Sequence, residues 1–151
     1  MKLSAGKLNK FLLIKLPIAW ISGVRVKKIN AENCEVGVKH RWINQNPFNS
    51  LYFAVQAMAA ELSTGALVMG HIRESNRKIS MLVARNESTF SKKATGRIRF
   101  ICNDGHLITD AIEKTIATGE GQTFWMNSSG INEDGLEVSR FRFEWTIRVK
   151  K

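Results

Sequence analysis

The chain has 151 residues, of which 44% are hydrophobic and 24% charged, and it carries a net charge of +10. Such a length predicts one domain, residues 1–151, with a substantial core, and the apolar share excludes wholesale disorder. The positive balance predicts affinity for anions in general, from nucleic acid and phosphorylated cofactors to acidic partners and membrane surfaces, without choosing among them.

The first 23 residues imitate a signal peptide, with Lys2, Lys7 and Lys10 ahead of FLLIKLPIAWISG. Lys15 and Pro17 interrupt the apolar run, and no small-x-small cleavage site follows. Residues 1–22 therefore read as an amphipathic helix packing on the domain. Leu8, Phe11, Leu12 and Lys15 share helical spacing, and Leu16-Pro17 ends it. A cytoplasmic location is the expectation. Next come a strand over Val24 to Ile29, a turn at Asn30 to Asn33, and a strand over Cys34 to Trp42. The latter sets Val36, Val38, His40 and Trp42 on one face, and the two strands form a hairpin.

The stretch from Asn46 to Gly70, NPFNSLYFAVQAMAAELSTGALVMG, has one formal charge, Glu61, in the 22 residues from Phe48 to Met69. Asn46-Pro47 marks the helix start, with Asn49-Ser50 as a second possible cap. Gly65 lies inside and Gly70 near the end. The length suits a membrane span. Gln56, Glu61, Asn49, Ser63, Thr64 and the many alanines make insertion weak, so a core helix wrapped by a sheet is the better reading and no membrane span is expected.

Strands follow at Ile79 to Arg85 and Gly96 to Cys102, separated by the polar ESTFSKKAT. Asn103-Asp104-Gly105 offers a helix cap before Leu107 to Thr118, which Gly119 closes. The last strands are Gln122 to Ser128 and Leu136 to Val149, joined through the turn NEDG. In the final strand Phe141, Phe143, Trp145, Ile147 and Val149 alternate with Arg140, Arg142, Glu144, Thr146 and Arg148. One apolar and one polar face mean an antiparallel sheet. The fold class is α+β: a curved antiparallel sheet around one long central helix, with an N-terminal helix and a second short one.

Cys34 and Cys102 lack CxxC spacing, and His40, His71 and His106 are scattered. Neither a metal site nor a disulfide framework is expected, only two buried thiols. Trp42, Trp125 and Trp145 fall on faces read as buried, which leaves no stacking platform for a specific nucleic acid.

Glu61 carries the chemistry. A lone carboxylate in an apolar helix is costly unless compensated. Ala57, Ala59 and Ala60 leave room beside it, and desolvation raises its pKa toward that of a general base. Backbone N–H groups near Asn49 to Leu51 could hold an oxyanion. They lie 10 to 12 residues before Glu61, roughly 15–18 Å along the helix. One substrate carbonyl reaches both only if they come from two chains, so catalysis predicts a homodimer with two shared sites.

The stretch NPFNSLYFAVQAMAAELSTG resembles the central helix of hotdog-fold thioesterases, especially the phenylacetate-degradation-type acyl-CoA thioesterases. Those enzymes run Asn-His-x-Gly-x-x-His-Gly-Gly and then an acid. On that pattern Asn46 matches the Asn, Asn49 the first Gly, Tyr52 the second His, Phe53-Ala54 the Gly pair and Glu61 the acid. The resemblance implies an acyl-CoA thioesterase, with coenzyme A as part of the substrate and no other cofactor. Glu61, Asn46, Asn49 and Ser50 would be its catalytic residues. Tyr52 would line the substrate site, and Arg85, Lys92, Lys93 and Arg97 would meet the coenzyme A phosphates. The partner implied is the chain itself, as a dimer or dimer of dimers. Tyr52 and Phe53 in place of His and Gly favour an alternative, an acyl- or lipid-binding hotdog protein without turnover.

Overall fold

A computed structural model describes residues 3–151; Lys2 lies outside the described residues. The elements are α1 (Ala5–Lys15), α2 (Pro17–Ile21), β1 (Arg25–Ile29), β2 (Cys34–Lys39), α3 (Phe53–Glu74), β3 (Ile79–Phe90), β4 (Arg97–Cys102), α4 (His106–Thr118), β5 (Gln122–Ile131) and β6 (Glu137–Val149). The strands form one sheet in the order β1-β2-β4-β5-β6-β3, with every neighbouring pair antiparallel. The expected α+β architecture holds, and both expected hairpins, β1–β2 and β5–β6, are present.

α3 lies across β2, β4, β5 and β6. Its small residues explain how close it comes. Ala59, Ala60, Ser63 and Ala66 are fully buried, and Ser63 Oγ stands 2.7 Å from the Ala60 carbonyl and 2.8 Å from Ser128 Oγ on β5. The Ser63 hydroxyl donates to the carbonyl and accepts from Ser128, so neither buried hydroxyl is left unpaired. From β6, Phe141, Phe143, Trp145 and Ile147 fill the space beneath the helix as the alternation requires. Although α3 is long and apolar enough to cross a membrane, it is mostly buried in the protein.

The helix begins at Phe53, not at Asn46-Pro47. Asn46 instead folds the chain into a turn: its Oδ1 accepts from the N–H of Phe48 (2.9 Å) and of Ser50 (3.2 Å), and its Nδ2 donates to Ser50 Oγ (2.9 Å). Asn49 takes φ +56 there, a conformation asparagine tolerates. Leu51 N–H donates to the Ala94 carbonyl and Tyr52 N–H to that of Asn44, both across tertiary contacts. The Asx turn and this bridging outcompete the local proline signal. At the other end Gly70 is buried inside the helix, which runs on to Glu74.

Two other expectations change. β2 stops at Lys39, because Asn44 Oδ1 captures the Arg41 N–H (2.7 Å) and a 3₁₀ turn forms at Trp42–Asn44. Trp42 is thereby 84% exposed rather than buried. Asp104 does not cap α4; its carboxylate accepts from Asn127 N–H (2.7 Å) and Nδ2 (3.0 Å) on β5. Cys34 and Cys102 face each other across β2 and β4 and are both buried, and burial pushes each thiol up to about 12.

Candidate active site

One face of α3 is only half-buried, and it presents Ala54, Ala57, Met58, Glu61, Met69 and Ile72 in a helical stripe. The Glu61 carboxylate makes no hydrogen bond or ion pair among the described residues. Burial pushes its pKa up to about 7, with no neighbouring charge contributing. A proton therefore comes and goes near neutral pH, which suits a general base.

What makes room for the carboxylate differs from expectation in part: Ala57, one turn before it, shares its stripe. Ala59 and Ala60 face the sheet and are fully buried. The space comes from Gly65, one turn further on. A Cβ there would stand 3.0 Å from Glu61 Oε1 and 3.1 Å from Trp145 Cζ2. The carboxylate thus lies over a glycine and beside an indole. The indole is fixed: Trp145 Nε1 donates to Thr64 Oγ1 (2.9 Å), and that hydroxyl donates to the Glu61 carbonyl (2.9 Å).

Backbone donors also move. The N–H of Asn49 donates to the Asn46 carbonyl, that of Ser50 to Asn46 Oδ1 and that of Leu51 to the Ala94 carbonyl. Those groups, expected to be free, are engaged, two within the loop and the third by Ala94. α3 starts without a side-chain cap, and its first intrahelical donors are Val55 and Gln56, both to the Tyr52 carbonyl. Among the described residues, the N–H groups of Phe53 and Ala54 are left without a partner at the positive end of the helix dipole.

Four of the expected residues meet around this helix start. Asn46, Ser50, Lys92 and Lys93 line a pocket of about 390 Å³ with Phe53, Gln56 and Phe90. Lys93 Nζ donates to the Phe48 carbonyl at 3.2 Å. Tyr52 and Phe53 stand edge to face there, 5.3 Å between ring centres, and Phe53 meets Phe90 at 6.3 Å. Arg85 and Arg97 do not join them. Arg85 is bound to Glu144 (Nε to Oε2, 2.6 Å) on the outer sheet face, and Arg97 lines a separate groove with Arg25, Arg41 and Glu133.

Sequence reasoning missed Gly65, Trp145 and Gln56. Gln56 is buried at the pocket with Nε2 on the Leu51 carbonyl (3.3 Å) and Oε1 without a partner among the described residues. Gly65 was visible in principle, since a glycine one helical turn after the only charge marks space beside it. Trp145 was not, because its place depends on sheet register. A second cavity, about 280 Å³, opens between α1 and the far end of the same α3 stripe, lined by Leu8, Phe11, Met69, Ile72, Ile79 and Met81.

The family profile described as a domain of unknown function, DUF4442, matches residues 5–147. No curated protein matches the chain. Among solved structures, the Pseudomonas aeruginosa protein PA5026, named a probable thioesterase, is 20% identical over 96% of both chains with a TM-score of 0.80. A Chlorobaculum tepidum protein of unknown function is 17% identical over 97% of this chain and 94% of its own, with a TM-score of 0.84. A Staphylococcus aureus protein, solved with a glutamate replaced by alanine, is 12% identical over 88% of this chain and 99% of its own, with a TM-score of 0.69. It was also solved, under the description of a thioesterase enzyme, with a glutamine replaced by alanine. These likenesses establish the hotdog fold. None of the three is named for phenylacetate degradation.

Proposed function

We propose that this chain, which belongs to the DUF4442 family and has the hotdog fold, is an acyl-CoA thioesterase-like hydrolase whose two active sites form between paired subunits. The observation that carries this reading is Glu61: an unpartnered carboxylate with a pKa near 7, held over Gly65 and beside Trp145 on the half-open face of α3. Support comes from the thioesterase names of structural neighbours. It comes also from the two Staphylococcus aureus variants, whose replaced glutamine and glutamate are separated by the same number of residues as Asn46 and Glu61.

Glu61 takes a proton from water, and the resulting hydroxide adds to the thioester carbonyl. The open N–H groups of Phe53 and Ala54 hold the developing oxyanion. The C–S bond then breaks, and the thiolate leaves with a proton returned from Glu61. Phe53 and Ala54 precede Glu61 by seven or eight residues, roughly 10–12 Å along one helix. A carbonyl touching Glu61 therefore needs these donors from a second copy, in a homodimer or a dimer of dimers. β3, twelve residues long at the end of the sheet, offers the unpaired edge for it. Lys92 and Lys93 beside the helix start meet the phosphates of the carrier, Asn46 and Ser50 hold the loop, and the acyl chain runs along the α3 stripe toward the Met69 cavity.

The decisive experiment is hydrolysis of a panel of acyl-CoA thioesters by wild type and Glu61→Gln. Loss of turnover in a folded variant supports the mechanism; unchanged turnover removes it. One observation favours acyl binding without turnover: Tyr52 and Phe53 place two aromatic rings where the resembled pattern has a histidine and a glycine, which would leave the carbonyl clear. Acyl ligand co-purifying with a wild-type protein that hydrolyses nothing would establish that second reading.

A further inference from the structure

The first 31 residues hold seven lysines and arginines and no acidic residue. α1 and α2 bury only Leu8, Leu12 and Ala19. They turn Ile14, Leu16, Ile18 and Ile21 outward, with Ile14 71% and Ile18 59% exposed, and the 3₁₀ turn beside them adds Trp42 and Ile43. These pieces form one surface: Asn44 Nδ2 donates to the Ser22 carbonyl at 2.9 Å, and the Arg41 guanidinium closes over Gly23.

A cationic groove adjoins this apolar surface. About 690 Å³ in volume, it runs over the outer face of β1, β2 and β4 between Arg25, Lys27, Lys39, Arg41, Arg97 and Arg99. Its two acids are already engaged: Glu35 pairs with Arg99 at 3.5 Å, and Glu133 accepts the Arg97 N–H at 2.9 Å. Gly23 and Arg41 belong to the groove, and each lies within two residues of an exposed apolar side chain, Ile21 and Trp42.

We infer that this surface seats the protein on a bilayer bearing acidic phospholipids. Ile14, Ile18, Ile21 and Trp42 enter the headgroup layer, and the groove cations lie against lipid phosphates. Apolar side chains with an indole among them and a dense cationic border are what such an interface takes up. A second copy fits poorly, because two such faces would oppose cations whose two groove carboxylates, Glu35 and Glu133, are already engaged. A nucleic acid could fill the groove but would leave the isoleucines uncovered. The attachment is peripheral and independent of any hydrolytic role.

The test is co-sedimentation of the full chain with phosphatidylcholine vesicles, with and without about 30% phosphatidylglycerol to set an anionic surface. Binding is expected only to the anionic vesicles, reversed by high salt, with a blue shift of tryptophan emission that Trp42→Phe removes. The double substitution Ile18→Ser, Ile21→Ser should weaken partitioning about tenfold or more, and Arg41→Ser about fivefold at low salt. Wild-type far-UV circular dichroism and thermal unfolding in these variants show that folding is intact. Three results would each overturn the inference. The first is wild type remaining in the supernatant with anionic vesicles. The second is binding that survives both sets of substitutions. The third is light scattering in which the isoleucine variant dissociates into smaller species, which would make this face a contact between copies.

Discussion

At the β1 edge of the sheet, Asn9 of α1 lays its carboxamide along the strand, accepting the Val26 N–H and donating to the Val26 carbonyl, both at 2.9 Å. At the β3 edge no strand lies on the outer side among the described residues. The inner side chains differ in the same sense. Val36 and Val38 of β2 are fully covered, whereas Ile79, Met81 and Val83 of β3 remain half-buried, and Leu82 on its outer face is exposed. One edge is closed by its own chain. The other is left with polar backbone and partly covered apolar groups, which natural sheets rarely expose unless something pairs with them. Glu61 belongs to the helix stripe that lacks full cover, so the proposed chemistry and the proposed partner fall on the same side of the molecule.

The sharpest way to break this contrast is at Glu61 itself. Glu61→Gln should lower kcat/KM on acyl-CoA about 10³-fold, the scale of a lost general base, measured by thiol release. In wild type, kcat/KM should fall about tenfold per pH unit below the Glu61 pKa of about 7. Stability should run the opposite way. The folded chain keeps the Glu61 proton between the ordinary carboxylate range and about 7. The unfolded chain gives it up, so wild type loses stability as pH rises through that window. Glu61→Gln should match wild type near pH 4 and exceed it by about 3 kcal/mol at pH 8 in urea unfolding.

Substitution on the open edge comes next. Leu82→Glu should weaken self-association about 10- to 100-fold, read by analytical ultracentrifugation, and activity should fall with it at low protein concentration. On the closed edge, Asn9→Leu leaves the Val26 N–H and carbonyl without partners. It should cost about 1–2 kcal/mol and lower Tm by about 3–6 °C, with activity per folded molecule unchanged. The smallest change is Gly65→Ala. Its methyl would crowd Glu61 Oε1 and Trp145, costing about 1 kcal/mol of stability and about tenfold in turnover as the carboxylate shifts.

Much of the fold was legible because it rests on periodicity. The alternation of Phe141, Phe143, Trp145 and Ile147 placed β6, and the uncharged run around Glu61 placed the central helix. Of the site, Glu61 and the group of Asn46, Ser50, Lys92 and Lys93 were legible, and the rest was not. Its open donors were assigned to Asn49 through Leu51 because Asn46-Pro47 is a strong start signal, and that signal lost to hydrogen bonds that Leu51 and Tyr52 donate to the carbonyls of Ala94 and Asn44, residues distant in the chain or pulled together by the fold. Arg85 and Arg97 looked equivalent to Lys92 and Lys93 as cations near one another in sequence. Strand direction sent the arginines to the outer face and the lysines to the helix start.

The sequence by itself determined the sheet around a helix, the hairpins and the one charge inside the apolar segment, since hydrophobic period and turn chemistry act over a few residues. Tertiary structure alone decided which N–H groups stay open, that Gly65 and Trp145 flank the carboxylate, and that Asn9 seals one sheet edge while the other stays bare. Each of these depends on register and on contacts between residues far apart in the chain, which no local pattern encodes.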